Sequence, residues 1–375
     1  MRESSLREIL ASYNDQASLA EAWTIPASWY VDERIAALER ETVFSKTWQM
    51  VGRVDQVEKP GQFVTATVAE EPIVVVRGND GVLRGFYNVC RHHAAAVVTE
   101  PSGQASILHC PYHGWNYGLD GSLKGMPEFE GVQGFAREQN GLVPVKADTW
   151  EKFVFVNLHP QAAPLADFLG GLVKRAAPLG WSQLHYFDRR VYDIACNWKV
   201  FVDNFLDGGY HVPHLHAGLN SVLSYKDYTI ENEDRYCLQS SPMVSDGAAP
   251  SDMRKGSRAW YFWQYPNLMI NCYEGYMDTN LVLPIDADHC RVIFDFCFAD
   301  VSEAQREHNQ RSVAASDKTQ DEDLGICEAV QRGLKSRAYG AGKLSLRREA
   351  GEHLFHRLLA ADLKAGLPET AAAAD

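Results

Sequence analysis

The stretch CRHHAAAVVTEPSGQASILHCPYHGW, residues 90–115, pairs a cysteine with a histidine twice. Cys90 and His92 form a C-x-H, Cys110 and His113 form a C-x-x-H, and seventeen residues separate the two motifs. Two thiolates and two imidazoles in paired loops can hold one zinc ion, or a [2Fe–2S] cluster in which two histidines replace two cysteines on one iron. Structural zinc sites more often use C-x-x-C pairs, so this spacing favours the cluster. Neutral imidazoles in place of thiolates make such a cluster less negative and raise its reduction potential. Gly114 and the aromatic flank PYHGW would admit close backbone approach and shield the cluster from water. His93 and His109 fall outside the frame and read as neighbours or surface residues.

A second constellation lies in NWKVFVDNFLDGGYHVPHLHAGL, residues 197–219, with His211, His214 and His216 inside six residues. Two histidines and one carboxylate on one face of Fe(II) leave positions open for oxygen and substrate. Asp203, Asp207 and His211 follow i, i+4, i+8 and are expected on one helical face. Pro213 is expected to end that helix and curl His216 back toward His211. Asp207 could accept a hydrogen bond from a ligand imidazole and so fix its ring. The remote carboxylate is sought in TQDEDLGICEAVQRGL, where Asp321, Glu322 and Asp323 are expected to open a helix. Acidic residues suit any helix N-terminus, so residue type leaves all three open.

Between the two lies the question of what surrounds the chemistry. Residues 260–279 carry Trp260, Tyr261, Phe262, Trp263, Tyr265, Tyr273 and Tyr276. Aromatic faces attract a cation that has no hydrogen-bond donor. Trp263, Tyr265, Tyr273 and Tyr276 are the candidate pocket residues, and the set suits a methylammonium group or a flat arene. Most rings in such strands are ordinary sheet core.

The elements that must position these residues change in texture along the chain. Residues 1–45 carry two helical stretches, the second with Ile35, Leu38 and Val43 on a stripe, expected to pack on the catalytic domain. Residues 46–157 read as short β runs divided by Gly and Asp turns, an antiparallel sandwich with the paired motifs at its loop tips. Residues 158–365 mix helices with strands of a larger antiparallel sheet, and 366–375 read as a tail. The fold class is α+β, a β-sandwich set into a larger α+β domain whose antiparallel sheet is flanked by helices.

With 375 residues two domains are expected. A formal net charge of -13 argues against a nucleic-acid surface. No stretch approaches the roughly 18 apolar residues of a membrane span, and the polar start lacks the apolar centre of a signal peptide. A cytoplasmic location is the expectation. Of the eight cysteines, Cys196, Cys237, Cys272, Cys290, Cys297 and Cys327 lack histidine partners and read as small buried apolar residues. There is no G-x-G-x-x-G after a strand and no C-x4-C-x2-C ferredoxin run, so electrons should come from a separate NAD(P)H-dependent reductase or ferredoxin.

Taken together, the chain resembles the α subunits of Rieske non-haem iron oxygenases over essentially its whole length. The C-x-H and C-x-x-H motifs match the family's Rieske cluster ligands, Cys90, His92, Cys110 and His113. The family's iron helix resembles the run of Asn204, Asp207, His211 and His216. Its third iron ligand, in a stretch similar to E-D-x-x-x-x-E, maps onto Asp323 rather than Asp321. Many members have two residues between the bridging carboxylate and the first histidine, whereas Asp207 and His211 have three. Within the family NWKVFVDNFLDGGYHVPHLH, YPNLMINCYEGYMDTNLVLP and HCPYHGWNYGLDGSL are most similar to the choline monooxygenase group. The resemblance implies a homotrimer in which the cluster of one subunit serves the Fe(II) of the next, with Asp207 at the junction. It also implies oxygen insertion beside a quaternary nitrogen, as in choline or a betaine. The alternatives are an aromatic ring-hydroxylating α subunit and a non-catalytic iron–sulfur or zinc-binding protein.

Overall fold

The structure, a computed structural model, describes residues 4–243 and 254–367. Most of the expected tail, from residue 368 on, lies outside the described residues. Two compact units emerge, Val43–Phe168 and the combination of Met1–Thr42 with Leu169–Asp375.

The smaller unit is built from β1 (Gln49–Arg53), β2 (Gln62–Val68), β3 (Glu71–Arg77), β4 (Leu83–Tyr87), β5 (Ser102–Gln104), β6 (Leu108–His109), β7 (Asn116–Tyr117), β8 (Leu123–Gly125), β9 (Pro144–Trp150) and β10 (Phe153–Asn157). Seven strands run in the order β1-β10-β9-β4-β3-β2-β5, and β6-β7-β8 form a small second sheet. All pairings are antiparallel. The unbroken apolar run of β3 is explained by burial on both faces. Val74 and Val76 join Phe63, Phe86, Cys90, Cys110 and Trp115 in one core. Ile73 and Val75 join Val64, Val145, Val154 and Val156 in the other. Successive side chains on a strand point to opposite faces, so a continuous Val/Ile run needs apolar cover on both. Full burial of each such side chain is worth roughly 1.5–3 kcal/mol. One of these cores lies directly under the two Cys/His loops.

The larger unit carries α1 (Leu6–Ala11), α2 (Ser28–Val31), α3 (Glu33–Glu39), α5 (Leu172–Ala176), α6 (Trp198–Leu206), α7 (Val212–Leu215), α8 (Ala217–Asn220), α9 (Arg306–Leu334) and α10 (Ala350–Ala365), with α4 (Leu165–Leu169) at the change of unit. Its sheet orders β11 (His185–Ile194), β17 (Cys290–Phe298), β16 (Tyr276–Pro284), β15 (Leu268–Glu274), β14 (Lys255–Gln264), β13 (Tyr236–Pro242) and β12 (Thr229–Glu233) side by side, all antiparallel. The central helix α6 starts where the Asn197 side chain accepts from the Lys199 N–H at 3.1 Å. It is apolar almost all round because it is enclosed, and even Lys199 is fully buried, paired with Glu39 at 2.6 Å.

Two helical expectations are corrected here. Asp321, Glu322 and Asp323 do not open a helix but lie past the middle of α9, which begins at Arg306. The run REHNQRSVAASDKTQ buries a largely polar stripe (Asn309, Ser312, Gln320), so hydropathy gave no sign of helix there. Nor does α6 continue to His211. It ends at Leu206 because Gly208 and Gly209 both take φ of +68°, a left-handed conformation that terminates helices. Pro213 therefore breaks nothing; it sits in the first turn of the separate short helix α7.

Candidate metal centres and substrate cavity

In the smaller unit the two Cys/His loops share one backbone design. The Cys90 N–H donates to the Ala95 carbonyl at 2.8 Å and the Ala94 N–H returns to the Cys90 carbonyl at 3.0 Å. In the second loop the Cys110 N–H donates to the Trp115 carbonyl at 2.9 Å and the Gly114 N–H to the Cys110 carbonyl at 3.1 Å. Ala94 and Gly114, at matching places, have φ of 60° and 74°. Both thiols are buried, His92 is half-buried and His113 exposed, which sets sulfur inside and imidazole outside. The two rings lie 4.7 Å apart between centroids, and His92 stacks flat on Trp115 at 4.6 Å. Burial pushes the Cys110 thiol up, although the Tyr112 and His113 N–H groups pull the other way. The Tyr117 hydroxyl lies 3.3 Å from the Cys90 sulfur.

These residues fit an iron–sulfur cluster better than zinc. His92 Nδ1 is buried with no hydrogen-bond partner, the state of a nitrogen shaped for a metal. A tetrahedral zinc with bonds of about 2.0–2.3 Å needs all its donors closely convergent. Among the described residues two groups of three such donors come within 4.8 Å of one another, and these four residues supply neither. His93 and His109 are exposed, and His109 Nδ1 faces the side-chain oxygen Oδ1 of Asn116 at 2.5 Å.

One of the convergent groups is His211, His216 and Asp323, in the larger unit. His211 precedes α7 and His216 follows it, so four helical residues bring the two rings to 4.9 Å between centroids. His216 Nε2 and His211 Nε2 lie 3.0 and 3.8 Å from the same oxygen, Oδ1 of Asp323. Each ring has its other nitrogen held by a carboxylate, His211 Nδ1 by Asp207 Oδ2 at 2.6 Å and His216 Nδ1 by Glu322 Oε2 at 2.7 Å. That arrangement fixes both tautomers and presents the Nε2 lone pairs to a common point. Asn204 Nδ2 donates to Asp323 Oδ1 at 2.9 Å. Burial disfavours protonated His216, but the hydrogen bonds and charges of Asp323 and Glu322 outweigh it and raise its pKa. His214 and Asp321 are exposed and take no part. Asp203, expected to share a face with Asp207 and His211, is instead held by Tyr30 and His356.

A cavity of about 360 Å³ opens beside this group. Its floor is a row across four strands, Gln239, Tyr261, Asn271 and Asp278, in register. Tyr228, Tyr273, Phe205, Phe294 and Arg254 add to its wall. The Asp278 carboxyl is buried and accepts from Tyr276 Oη (2.6 Å), Asn271 Nδ2 (2.8 Å) and Asn280 Nδ2 (3.2 Å); burial raises its pKa against those donors. Of the four rings expected to line a pocket, Tyr273 does and three do not. Trp263 lies farther along β14 than Tyr261 and packs on Phe355 of α10, and Tyr265, just past the end of that strand, donates to Asp362 at 2.8 Å. Tyr276 lies behind the wall with the Arg254 guanidinium 4.1 Å from its centroid. Tyr228, Arg254, Asp278 and Glu322 were not anticipated in these roles. Asp278 is placed by strand register, Glu322 by the packing of α9, and Tyr228 and Arg254 by the chain just before β12 and β14, none of which is readable until the elements are assembled.

Comparison with known proteins agrees with this geometry. Residues 47–136 match the Rieske [2Fe-2S] domain and residues 181–365 the ring hydroxylating alpha subunit catalytic domain. The chain is 37% identical over 372 residues to a chloroplastic choline monooxygenase of Arabidopsis thaliana, covering 96% of this chain and 88% of that one. It is 33% identical over 362 residues to the carnitine monooxygenase oxygenase subunit of Escherichia coli K12, covering 92% and 95%. A quaternary ammonium Rieske monooxygenase solved with its substrate L-carnitine superposes with a TM-score of 0.80 at 30% identity, covering 96% and 99%. No described helix is long and apolar enough to cross a membrane. Sequence, fold and cavity converge: the chain belongs to the Rieske non-haem iron oxygenases, enzymes that work with a [2Fe–2S] cluster and a mononuclear iron.

Proposed function

We propose that this chain is the oxygenase component of a monooxygenase that oxidises a carbon next to a quaternary nitrogen in a small substrate such as choline, a betaine or carnitine. The observation that carries this reading is the cavity wall: Tyr228, Tyr261 and Tyr273 beside the buried carboxyl of Asp278, all within one cavity with His211, His216 and Asp323. A trimethylammonium group gains roughly 0.5–2 kcal/mol from a well-placed ring, and a buried carboxylate adds charge attraction that a neutral arene cannot use. The substrates named by the choline- and carnitine-oxidising relatives support the same class.

In this reading His211, His216 and Asp323 would hold Fe(II), and Cys90, His92, Cys110 and His113 the cluster. Iron supplies the dioxygen chemistry when bound and the cluster supplies electrons one at a time, drawn from a separate reductase or ferredoxin. The chain's own work is orientation. Asp207 and Glu322 fix the two imidazoles, and Asn204 steers the Asp323 carboxylate through its amide N–H. Phe205, Tyr261 and Phe294 exclude water from the substrate. Assembly as a homotrimer, with Asp207 near a neighbouring subunit, is part of the proposal. Arg254 on the cavity wall favours substrates that carry a carboxylate at the far end, so carnitine and betaines should outrank choline.

The test is oxygen uptake coupled to product, with a competent reductase. Choline, betaines and carnitine should stimulate it above benzoate, phthalate or naphthalene at equal concentration. Coupled product only from the aromatic set would overturn the substrate class.

A further inference from the structure

The second convergent group in the described residues is Asp203, Glu352 and His356. It differs from the iron group in a way that decides its chemistry. His356 Nε2 already faces Asp203 Oδ1 at 3.0 Å, and its Nδ1 is buried with no partner, so nothing orients that ring toward a metal. Tyr30 Oη donates to Asp203 Oδ2 at 2.5 Å and lies 3.5 Å from His356 Nε2. These are links through which protons are shared. Glu352, one helical turn before His356, is 6% exposed, and burial and the charges of neighbouring carboxylates are what act on its carboxyl. His356 Nε2 lies 3.9 Å from Glu352 Oε1.

A second cavity, of about 190 Å³, explains where that carboxyl points. Glu352, Asp203, Tyr30 and Asn204 line it. Ile326, Val330 and Tyr339, all exposed, form its outer rim. At about 30 Å³ per water the space admits a short chain of them. Asn204 also lines the substrate cavity and donates to Asp323. A solvent-connected cleft thus ends one side chain away from the iron ligands.

The reaction needs that route. Monooxygenation consumes RH, O2, two electrons and two protons and gives ROH and H2O. A quaternary ammonium substrate has no N–H to give, and once bound it displaces water from the front cavity. We propose that Glu352 is the buried acid that supplies these protons through water in the second cavity and is recharged from solvent at the rim. Each transfer takes the Glu352 carboxyl to carboxylate and back, and two cycles balance one turnover. The groups facing it are Asp203 from α6, Asp207 just past the end of α6, Tyr30 from α2, Tyr13 between α1 and α2, Glu349 at the start of its own helix and His356 within that helix. Burial first, then repulsion from Asp203, Glu349 and Asp207, holds its pKa well above the usual carboxylate range. The front-cavity step rests on the quaternary-ammonium reading; the protonated carboxyl does not.

Two measurements test it on the full chain. Infrared spectra of the metal-free protein at pH 7 should show a buried protonated carboxyl band that Glu352→Gln removes and Glu349→Gln leaves. This requires no substrate and therefore stands apart from the substrate class. In the holoenzyme, Glu352→Gln should keep its iron content, cluster spectrum and substrate KM. Its product-forming kcat should fall about tenfold or more with a larger solvent deuterium isotope effect, and Glu352→Asp should recover most of it. In the unsubstituted enzyme kcat should decline as pH rises through the folded pKa of Glu352, and that limb should vanish in the Gln variant. Absence of the infrared band, an unchanged kcat, or a second divalent ion per chain lost with Glu352→Gln would each overturn the proposal.

Discussion

The cluster loops and the iron-binding group solve the same problem, holding metal ligands still, by opposite means. All four proposed donors of the cluster lie within residues 90–113, and their positions follow from two backbone turns with the same hydrogen-bond pattern. Those of the iron site come from the two ends of a four-residue helix and from α9, 107 residues beyond His216. There the orienting bonds run between side chains, Asp207 to His211 and Glu322 to His216. A site set by backbone turns is fixed locally; one set by side chains depends on how α6, α7 and α9 pack. The two should therefore fail independently and in different ways.

The largest expected effect separates them outright. His211→Ala or Asp323→Ala should lose the mononuclear iron and all detectable turnover while the visible spectrum of the cluster survives. Cys90→Ala or Cys110→Ala should do the reverse, losing the cluster and keeping the iron, as measured by metal content. A lethal Asp321→Ala beside a harmless Asp323→Ala would break the ligand assignment. Next come the orienting carboxylates. Asp207→Asn and Glu322→Gln keep the shape but weaken the bond to each imidazole, and outer partners of this kind typically cost 10–100-fold in metal affinity or activity. The cluster has no equivalent pair of carboxylates among the described residues, so its spectrum should not respond.

Backbone substitutions turn the comparison around. A Cβ at Gly208 would lie 2.1 Å from the Arg348 carbonyl oxygen, at φ +68°. Gly208→Ala must therefore move the chain between Asp207 and His211, and a cost of about 1–3 kcal/mol is expected from the strained backbone alone. Gly114→Ala meets nothing nearer than Pro127 Cγ at 3.3 Å, and Ala94 already occupies the matching place in the other loop at φ 60°. Its cost should stay near the roughly 1–2 kcal/mol of a left-handed L-residue. Thermal unfolding of both variants measures the difference.

What could be read from the sequence follows the same division. Spacing alone singled out the four proposed cluster ligands, because C-x-H and C-x-x-H are local patterns fixed by local turns. His211 and His216 were readable for the same reason. Spacing left the third carboxylate open, and only the family resemblance pointed to Asp323: Asp321, Glu322 and Asp323 are consecutive, and it is the packing of α9 that turns Asp323 inward, gives Glu322 to His216 and leaves Asp321 in solvent. The β-sandwich and the antiparallel sheet were legible in outline from alternation and turns. Strands β11, β12 and β13, richer in charge and hydroxyls, were not. Asp203 was misplaced because helical periodicity was carried across two glycines whose positive φ stops it.

The smallest effect concerns the rings, where composition misled most. Tyr261 lies within β14 and Tyr265 just past its end, four residues on, and that short distance along the chain separates cavity from core. Tyr261→Leu removes a wall of the substrate cavity and the hydroxyl that meets Tyr273 at 2.7 Å. If it touches a quaternary ammonium group, KM should rise several-fold, the equivalent of roughly 0.5–2 kcal/mol for one cation–π contact, with little change in kcat. Tyr265→Phe removes the bond to Asp362 under α10, so it should lower stability by about 1 kcal/mol and leave KM untouched. A KM change for Tyr265→Phe with none for Tyr261→Leu would place the substrate on the wrong side of that divide.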